Sequence, residues 1–490
     1  MNVFMISSEA YPFSKTGGLG DIAGNLPHAL KQVNVNSSLI IPLYKDNYKL
    51  INNNLYTTFN IKLGSETMKT EIIKHKYNNI DVYFVKNDFL FKRDGIYSEN
   101  SKDYEDNAKR FIAFTKSAIE LLIYLHKKEN IKLDIVHLHD WQSALTAIYI
   151  KEIYNTEEAF KNTKVVFTIH NLAYQGNFNT DIYSLLNISW KYFIPSRIEF
   201  YGYVSFIKAG IILSDIVTTV SPNYAKEIQT EEFGCGLNNL LLNKNEQGKL
   251  FGVLNGMHDT QWNPKTDKYI KHNYDINTKE KKKLIRNALY KELKIKEKNY
   301  PLVTMISRFD PQKGLDLIYS SFFELSTYDA NFIFLFSSNN YFKDFENDFV
   351  ARVKRAKNIR VLFLFDEVLA HKLTAASDMY LMPSRFEPCG LNQIYSMKYG
   401  SLPIVHSVGG LKDTVVNYNG AKTIKKATGF SFNEYSQKSF VEAMDLAFDL
   451  YYNNKNHFDN LVDNAMKKDY SLLKTALEYK KLYNKVLKNK

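Results

Sequence analysis

Short apolar runs alternate with helix-period segments along almost the whole of this 490-residue chain, and that alternation leaves few folds open. Strand, helix and strand in repeated succession build parallel sheets with helices on their faces. In the first half the strand-like runs are 3–6, 38–42, 82–85, 135–138, 165–169, 216–220 and 250–254, the last ending in the turn signal Asn255-Gly256. Between them, 107–126 carries Phe111, Phe114, Ala118, Leu121 and Leu122 at helical spacing. Residues 259–296 are polar and lysine-rich, with one helical pattern. A second series then opens, with strands expected at 302–306, 332–336, 361–365, 379–382 and 403–406. The pattern predicts an α/β chain of two Rossmann-like domains, 1–258 and 259–470, with the boundary near residue 260. A tail, 471–490, places Leu472, Ala476, Tyr479, Tyr483 and Val486 on one helical stripe, which must pack on something.

Composition removes several function classes. No apolar run approaches the ~20 residues of a membrane span, and the chain starts directly on a strand without a basic, signal-like leader. Cys235 and Cys389 make neither a disulfide framework nor a metal spacing. A cytoplasmic protein without a membrane partner is expected. The net charge is +12, from 64 Lys and Arg against 52 Asp and Glu. The lysines are scattered, as at 281–283 and 480–481, with no nucleic-acid-binding motif beside them, so no nucleic acid partner is expected. The excess still favours an anionic small substrate.

Two loops carry the chemistry. The run Phe13-Ser-Lys-Thr-Gly-Gly-Leu-Gly-Asp21 follows the first strand and leads into a helix expected over 22–32. Helix-terminal N–H groups there welcome an anion, Gly17 and Gly18 allow close backbone approach, and Lys15 is a ready counter-charge. It is not a Walker A loop, because Lys-Ser/Thr does not close the run. The second loop, Ser384-Arg-Phe-Glu-Pro-Cys-Gly-Leu-Asn-Gln393, follows the 379–382 strand and leads into a helix expected over 391–399. It puts Glu387 at the carboxyl end of a strand, where open α/β sheets hold ligands.

Together the two motifs resemble one family, the bacterial glycogen synthases and plant starch synthases. Lys-Thr-Gly-Gly-Leu-Gly-Asp is similar to that family's N-terminal signature, and Glu-Pro-Cys-Gly-Leu-x-Gln to its C-terminal one. The resemblance spans essentially the whole chain. It implies a GT-B fold with two facing domains, a deep interdomain cleft and a C-terminal helix crossing back to the first domain. It implies glucose transfer from ADP-glucose to the non-reducing end of an α-1,4-glucan such as glycogen, with retention of configuration. Another retaining GT-B transferase using UDP-glucose is the alternative. A monomer or small homo-oligomer is expected.

Residue roles follow from the same resemblance. Arg308 and Lys313, in Arg-x-x-x-x-Lys-Gly after the 302–306 strand, are expected to converge on the departing diphosphate. With Lys15 these cations would replace a metal; no Asp-x-Asp site is present, and no cofactor is expected. His170 ends a strand, where a lone His is more often a core residue. Its run Thr168-Ile-His-Asn-Leu-Ala-Tyr-Gln-Gly176 is similar to the family segment under the donor glucose. His137 and His139 point to one face of their strand and Asp140 to the other, which argues against metal ligation. Asp140 is read as a carboxylate organising the acceptor region. Glu387 is assigned to glucose binding and stabilisation of an oxocarbenium-like state, with the leaving phosphate taking the acceptor's proton. Cys389, Gly390 and Leu391 are expected at the substrate, Tyr395 near the nucleotide, and Gly409 and Gly410 at the diphosphate. Asp21 is expected at the donor, Asn255 on the cleft floor, and Tyr97 stacking on sugar. Three departures bear on donor affinity: Ser337-Ser338-Asn339 in place of Gly-x-Gly, Asn392 for Thr and Val408 for Thr.

Overall fold

The computed structural model describes residues 1–51, 54–99, 102–258, 261–296, 298–338 and 342–488. The chain divides into two units, Met1–Gly256 with Leu472–Lys490, and Met257–Ser471. The sequence placed the boundary near residue 260; residues 259 and 260 lie outside the described residues, and the division falls just before them.

Among the described residues the main sheet of the first unit has nine strands: β1 (Asn2–Ile6), β2 (Asn36–Pro42), β3 (Leu55–Leu63), β4 (Glu66–Tyr77), β5 (Ile80–Lys86), β6 (Ile135–His139), β7 (Lys164–Ile169), β8 (Ile216–Thr219) and β9 (Leu250–Gly252). Their order across the sheet is β9-β8-β7-β6-β1-β2-β5-β4-β3. The pairs from β9 to β5 are parallel. β3 and β4 form an antiparallel hairpin on the β5 edge. The reading of uniformly parallel sheets missed this hairpin. Its residues alternate polar and apolar because one face is solvated, so they lack the continuous apolar signature of a doubly covered strand.

Among the described residues the second unit has six strands, all parallel: β10 (Leu302–Arg308), β11 (Asn331–Ser337), β12 (Ile359–Phe363), β13 (Met379–Met382), β14 (Leu402–His406) and β15 (Phe430–Phe432), in the order β12-β11-β10-β13-β14-β15. β12 stops at Phe363, two residues short of the expected end. Among the described residues no helix is long and apolar enough to cross a membrane.

The C-terminal helix, Leu472–Lys488, belongs to the first unit. The stripe read from the sequence is the face it buries: Leu472, Ala476, Tyr479, Tyr483 and Val486 join one core with Val3, Met5, Leu19 and Leu30. Polar contacts fix its register. Thr475 donates to the Leu254 carbonyl at 2.8 Å, and Lys480 Nζ to that of Val33 at 2.7 Å. Within the second unit, Met257 N–H donates to the Tyr470 carbonyl at 2.8 Å, so the outgoing and returning segments pair side by side.

The tyrosines of this helix also reach the polar interior. Tyr483 Oη lies 2.8 Å from His137 Nδ1, and His137 Nε2 lies 2.6 Å from Thr168 Oγ1, itself 2.6 Å from Thr218 Oγ1. His137 is fully buried, and burial lowers its pKa to about 3, so the ring is neutral and needs partners for both nitrogens. Tyr483→Phe keeps the packing but strands His137 Nδ1. It should lower unfolding free energy by ~1–3 kcal/mol in denaturant titrations; no measurable change would show that the hydroxyl carries no structural weight.

Candidate active site

Each unit brings polar residues to the carboxyl ends of its strands. In the first unit, β1 ends at Ile6 and the loop 7–17 turns into the helix Gly18–Gln32. Lys15 Nζ pairs with Asp21 Oδ1 at 2.7 Å, which ties the loop's cation to the first turn of that helix. A Cβ added to Gly17 or Gly18 would meet nothing within 4 Å, so the space over them is open to a ligand. Beneath the loop lies Glu9, which the sequence reading missed. Its side chain accepts from Thr16 N at 2.5 Å, Thr16 Oγ1 at 2.7 Å and Tyr97 Oη at 2.6 Å. Burial raises the Glu9 pKa, and these donors offset part of the rise. The only signal for Glu9 in the sequence was its place three residues past a strand end. Tyr97, expected to stack on sugar, is half-buried and commits its hydroxyl to Glu9 and Ser8. That makes it a support of the loop.

β6 and β7 position the second group. Asp140 follows His139 at the end of β6 with φ +56°, a conformation costly for a residue with a Cβ and often kept at functional sites. The turn aims its carboxylate at β7, where Oδ1 accepts the His170 N–H at 2.7 Å. Burial pushes the Asp140 carboxyl up to about 7, against the N–H groups of His170 and Asn171, which lower it. His170 Nε2 lies 3.0 Å from His139 Nδ1, and burial lowers the His170 pKa to about 3. The two neutral rings therefore share one proton. The His137 and His139 rings lie on one face of β6, centroids 4.2 Å apart. Among the described residues no group of three His, Cys, Asp or Glu side chains is arranged to hold a metal ion. Asn255 is buried past β9, its N–H donating to the Val220 carbonyl at 3.2 Å.

In the second unit, β10 ends at Arg308, whose side chain is exposed. The helix expected near Gly314 is preceded by a 3₁₀ turn, Pro311–Lys313, capped by Asp310. Gly314 has φ +76°, and a Cβ there would fall 2.0 Å from the Pro383 carbonyl oxygen, so the loop after β10 lies directly against the loop after β13. Lys313 Nζ reaches Glu387 Oε2 at 2.7 Å, with the side chains 17% and 8% exposed. Ser384 Oγ donates to the same oxygen at 3.0 Å. Gln312 clasps the loop by accepting the Arg385 N–H at 2.9 Å and donating to the Phe386 carbonyl at 3.1 Å. The structure thus pairs Lys313 with Glu387, while Arg308 stands apart at the strand end.

The loop after β14 closes the floor. Gly410 N–H donates to the Glu387 carbonyl at 3.0 Å. Cys389 is buried, and Gly390 turns the chain with φ +70°. Leu391 is half-buried at the start of the helix Asn392–Lys398. Asn392, one of the departures, donates to the Ile306 carbonyl at 2.9 Å, and Val408 is buried. Ser338 donates to Glu346, and Asn339 lies outside the described residues. Tyr395, expected near the nucleotide, is a core residue here. Its ring is 8% exposed and stacks on Trp262 at 4.5 Å, packing the helix from below. Phe365 was read as a strand residue, yet it stands 91% exposed just past β12, on the same ligand-facing edge of the sheet.

Two open α/β sheets with charged loops at their carboxyl edges place the chain among two-domain, ligand-binding α/β enzymes. The comparisons narrow this. Residues 2–243 match the starch synthase catalytic domain, and 288–468 match the group 1 glycosyl transferases. The chain is 39% identical to the glycogen synthase of Pseudothermotoga lettingae over all of both chains, and 37% identical to that of Bacillus cereus over 99% of this chain and all of the relative. The catalytic domain of starch synthase IV from Arabidopsis thaliana, bound to ADP and acarbose, superposes with a TM-score of 0.90 at 31% identity, covering 99% of each chain. The chain belongs to the glycogen synthase and starch synthase family, glucosyltransferases of the GT-B fold.

Gly409 tests how tightly the Glu387 loop is set. Its φ is +44°, and a Cβ would fall 1.9 Å from the Glu387 carbonyl oxygen. Gly409→Ala should displace that loop and cut kcat by roughly tenfold or more in a folded enzyme. Wild-type turnover would show that the loop position tolerates movement.

Proposed function

We propose that this chain transfers glucose from ADP-glucose to the non-reducing end of an α-1,4-glucan, retaining configuration and needing no metal ion. The observation that carries the reading is the Lys313–Glu387 pair at the carboxyl edge of the second sheet, in a chain that matches glycogen synthases from end to end. The ADP held by the plant relative supports the choice of nucleotide.

In this reading Arg308 and Lys313 stabilise charge building on the departing diphosphate, assisted by the Gly409-Gly410 turn. Glu387 holds the glucose hydroxyls and balances the positive charge of the oxocarbenium-like centre. The glycosidic bond to phosphate breaks, the acceptor 4-hydroxyl bonds to the same face of C1, and its proton passes to the leaving phosphate oxygen. Phe365 offers an exposed ring on which the nucleobase stacks. From the first unit, Lys15 and Asp21 serve the donor, Asp140 orients the acceptor, and neutral His170 donates or accepts a hydrogen bond without adding charge. The cations present take the role of a metal, and the cytoplasm is the expected compartment.

A donor competition assay with glycogen as acceptor tests this. ADP-glucose should exceed UDP-glucose in kcat/KM by about tenfold or more, and excess EDTA should leave the rate unchanged. Phe365→Ala should raise KM for the donor with kcat largely kept. Preference for UDP-glucose, or activity lost to EDTA and restored by Mg²⁺, would contradict the reading.

A further inference from the structure

The second unit carries a basic pocket on the sheet edge opposite Glu387. It is a half-open hollow of about 650 Å³ lined by six cations, Lys279, Lys282, Lys283, Arg286, Lys298 and Lys455, against the carboxylates Glu280, Asp378 and Asp459. Asp378 immediately precedes β13, and Asn299, also in the lining, lies just ahead of β10, so the pocket opens at the strands' amino ends. Arg308 and the Glu387 loop stand at the carboxyl ends of these same strands. The seven residues of β10 separate the two edges by roughly 20 Å at ~3.3 Å per residue.

The pocket's own acids are largely committed. Asp378 pairs with Arg286 at 2.6 Å and accepts the Leu302 N–H at 2.8 Å. Asp459 pairs with Lys455, and Lys279 pairs with Asp463 outside the lining. Lys282 is different. It is buried, and its ammonium donates to an uncharged acceptor, the Tyr399 carbonyl, at 2.6 Å. Burial lowers its pKa to about 7, and Asp378 offsets only part of that. Such a lysine is charged only in part at neutral pH, and an anion bound beside it would favour the ammonium. Lys283 and Lys298 stand exposed at the rim, and Tyr290, Tyr451 and Phe458 provide an apolar wall.

We propose that this pocket binds a phosphate-bearing anion, with Lys282 and Arg286 at its base and Lys283 and Lys298 closing over it. Its volume and apolar wall suit a small phosphate ester as well as phosphate itself. The site is independent of the transfer reaction, which uses the opposite edge.

The test is isothermal titration of the full chain with orthophosphate and, separately, ribose 5-phosphate, with ribose as control. Three proteins are compared: wild type, Lys283→Glu/Lys298→Glu, and Arg308→Ala. Arg308 and the rim lysines are exposed, so their replacement leaves folding intact, where a change at Lys282 would not. Binding by wild type and by Arg308→Ala, weakened about tenfold or more in the rim variant, supports the site. Tighter binding of ribose 5-phosphate identifies an ester as the ligand, and tighter binding of orthophosphate identifies the free ion. Binding lost in Arg308→Ala, equal in all three proteins, or absent at millimolar anion would overturn the proposal.

Discussion

The ion pair between Lys313 and Glu387 sets the terms for the second unit. Its partners come from loops after two adjacent strands, β10 and β13, and both side chains are mostly out of solvent. Removing either partner would leave a nearly buried charge without compensation, typically a loss of ~3–5 kcal/mol. The pair therefore forces its two loops into one arrangement, and the surroundings are shaped to permit it. Gly314 lets the first loop touch the Pro383 carbonyl, Gln312 clasps the second loop, and Gly409 lets a third pass under Glu387. A charge held this way is fixed before substrate arrives, which is what electrostatic stabilisation of a transition state requires.

The first unit solves a related problem with neutral groups. Its buried histidines share protons with one another and with hydroxyls, so His170 is set by β6, β7 and, through His137, by the C-terminal helix. The last segment of the chain thus contributes to the order of a strand end far from it in sequence. Asp140 adds a carboxyl that burial pushes up to about 7.

Much of this was legible in the sequence because parallel strands buried on both faces print continuous apolar runs. The strands that lead to Arg308, Asp140, His170 and Glu387 fall where those runs lie, and the C-terminal stripe names the residues that Leu472–Lys488 buries. What stayed hidden depends on contacts remote in sequence. The β3–β4 hairpin has one wet face and reads as polar chain. Glu9 acquires its place only because Thr16 and Tyr97 fold onto it. The family resemblance put Tyr395 near the nucleotide, and only its packing against Trp262, 133 positions earlier, shows it in the core. Phe365 looked like strand interior, and the early end of β12 puts its ring in solvent.

The most direct test of the central claim is a double-mutant cycle on kcat for Glu387→Gln, Lys313→Ala and the pair together, with ADP-glucose and glycogen. If the pair acts as one charged unit on the transferring glucose, each single change should lower kcat by roughly a hundredfold or more. The double variant should then be little worse than the poorer single one, because the second change removes a partner already lost. Near-normal turnover of Glu387→Gln, or strictly multiplicative losses in the double variant, would contradict the account.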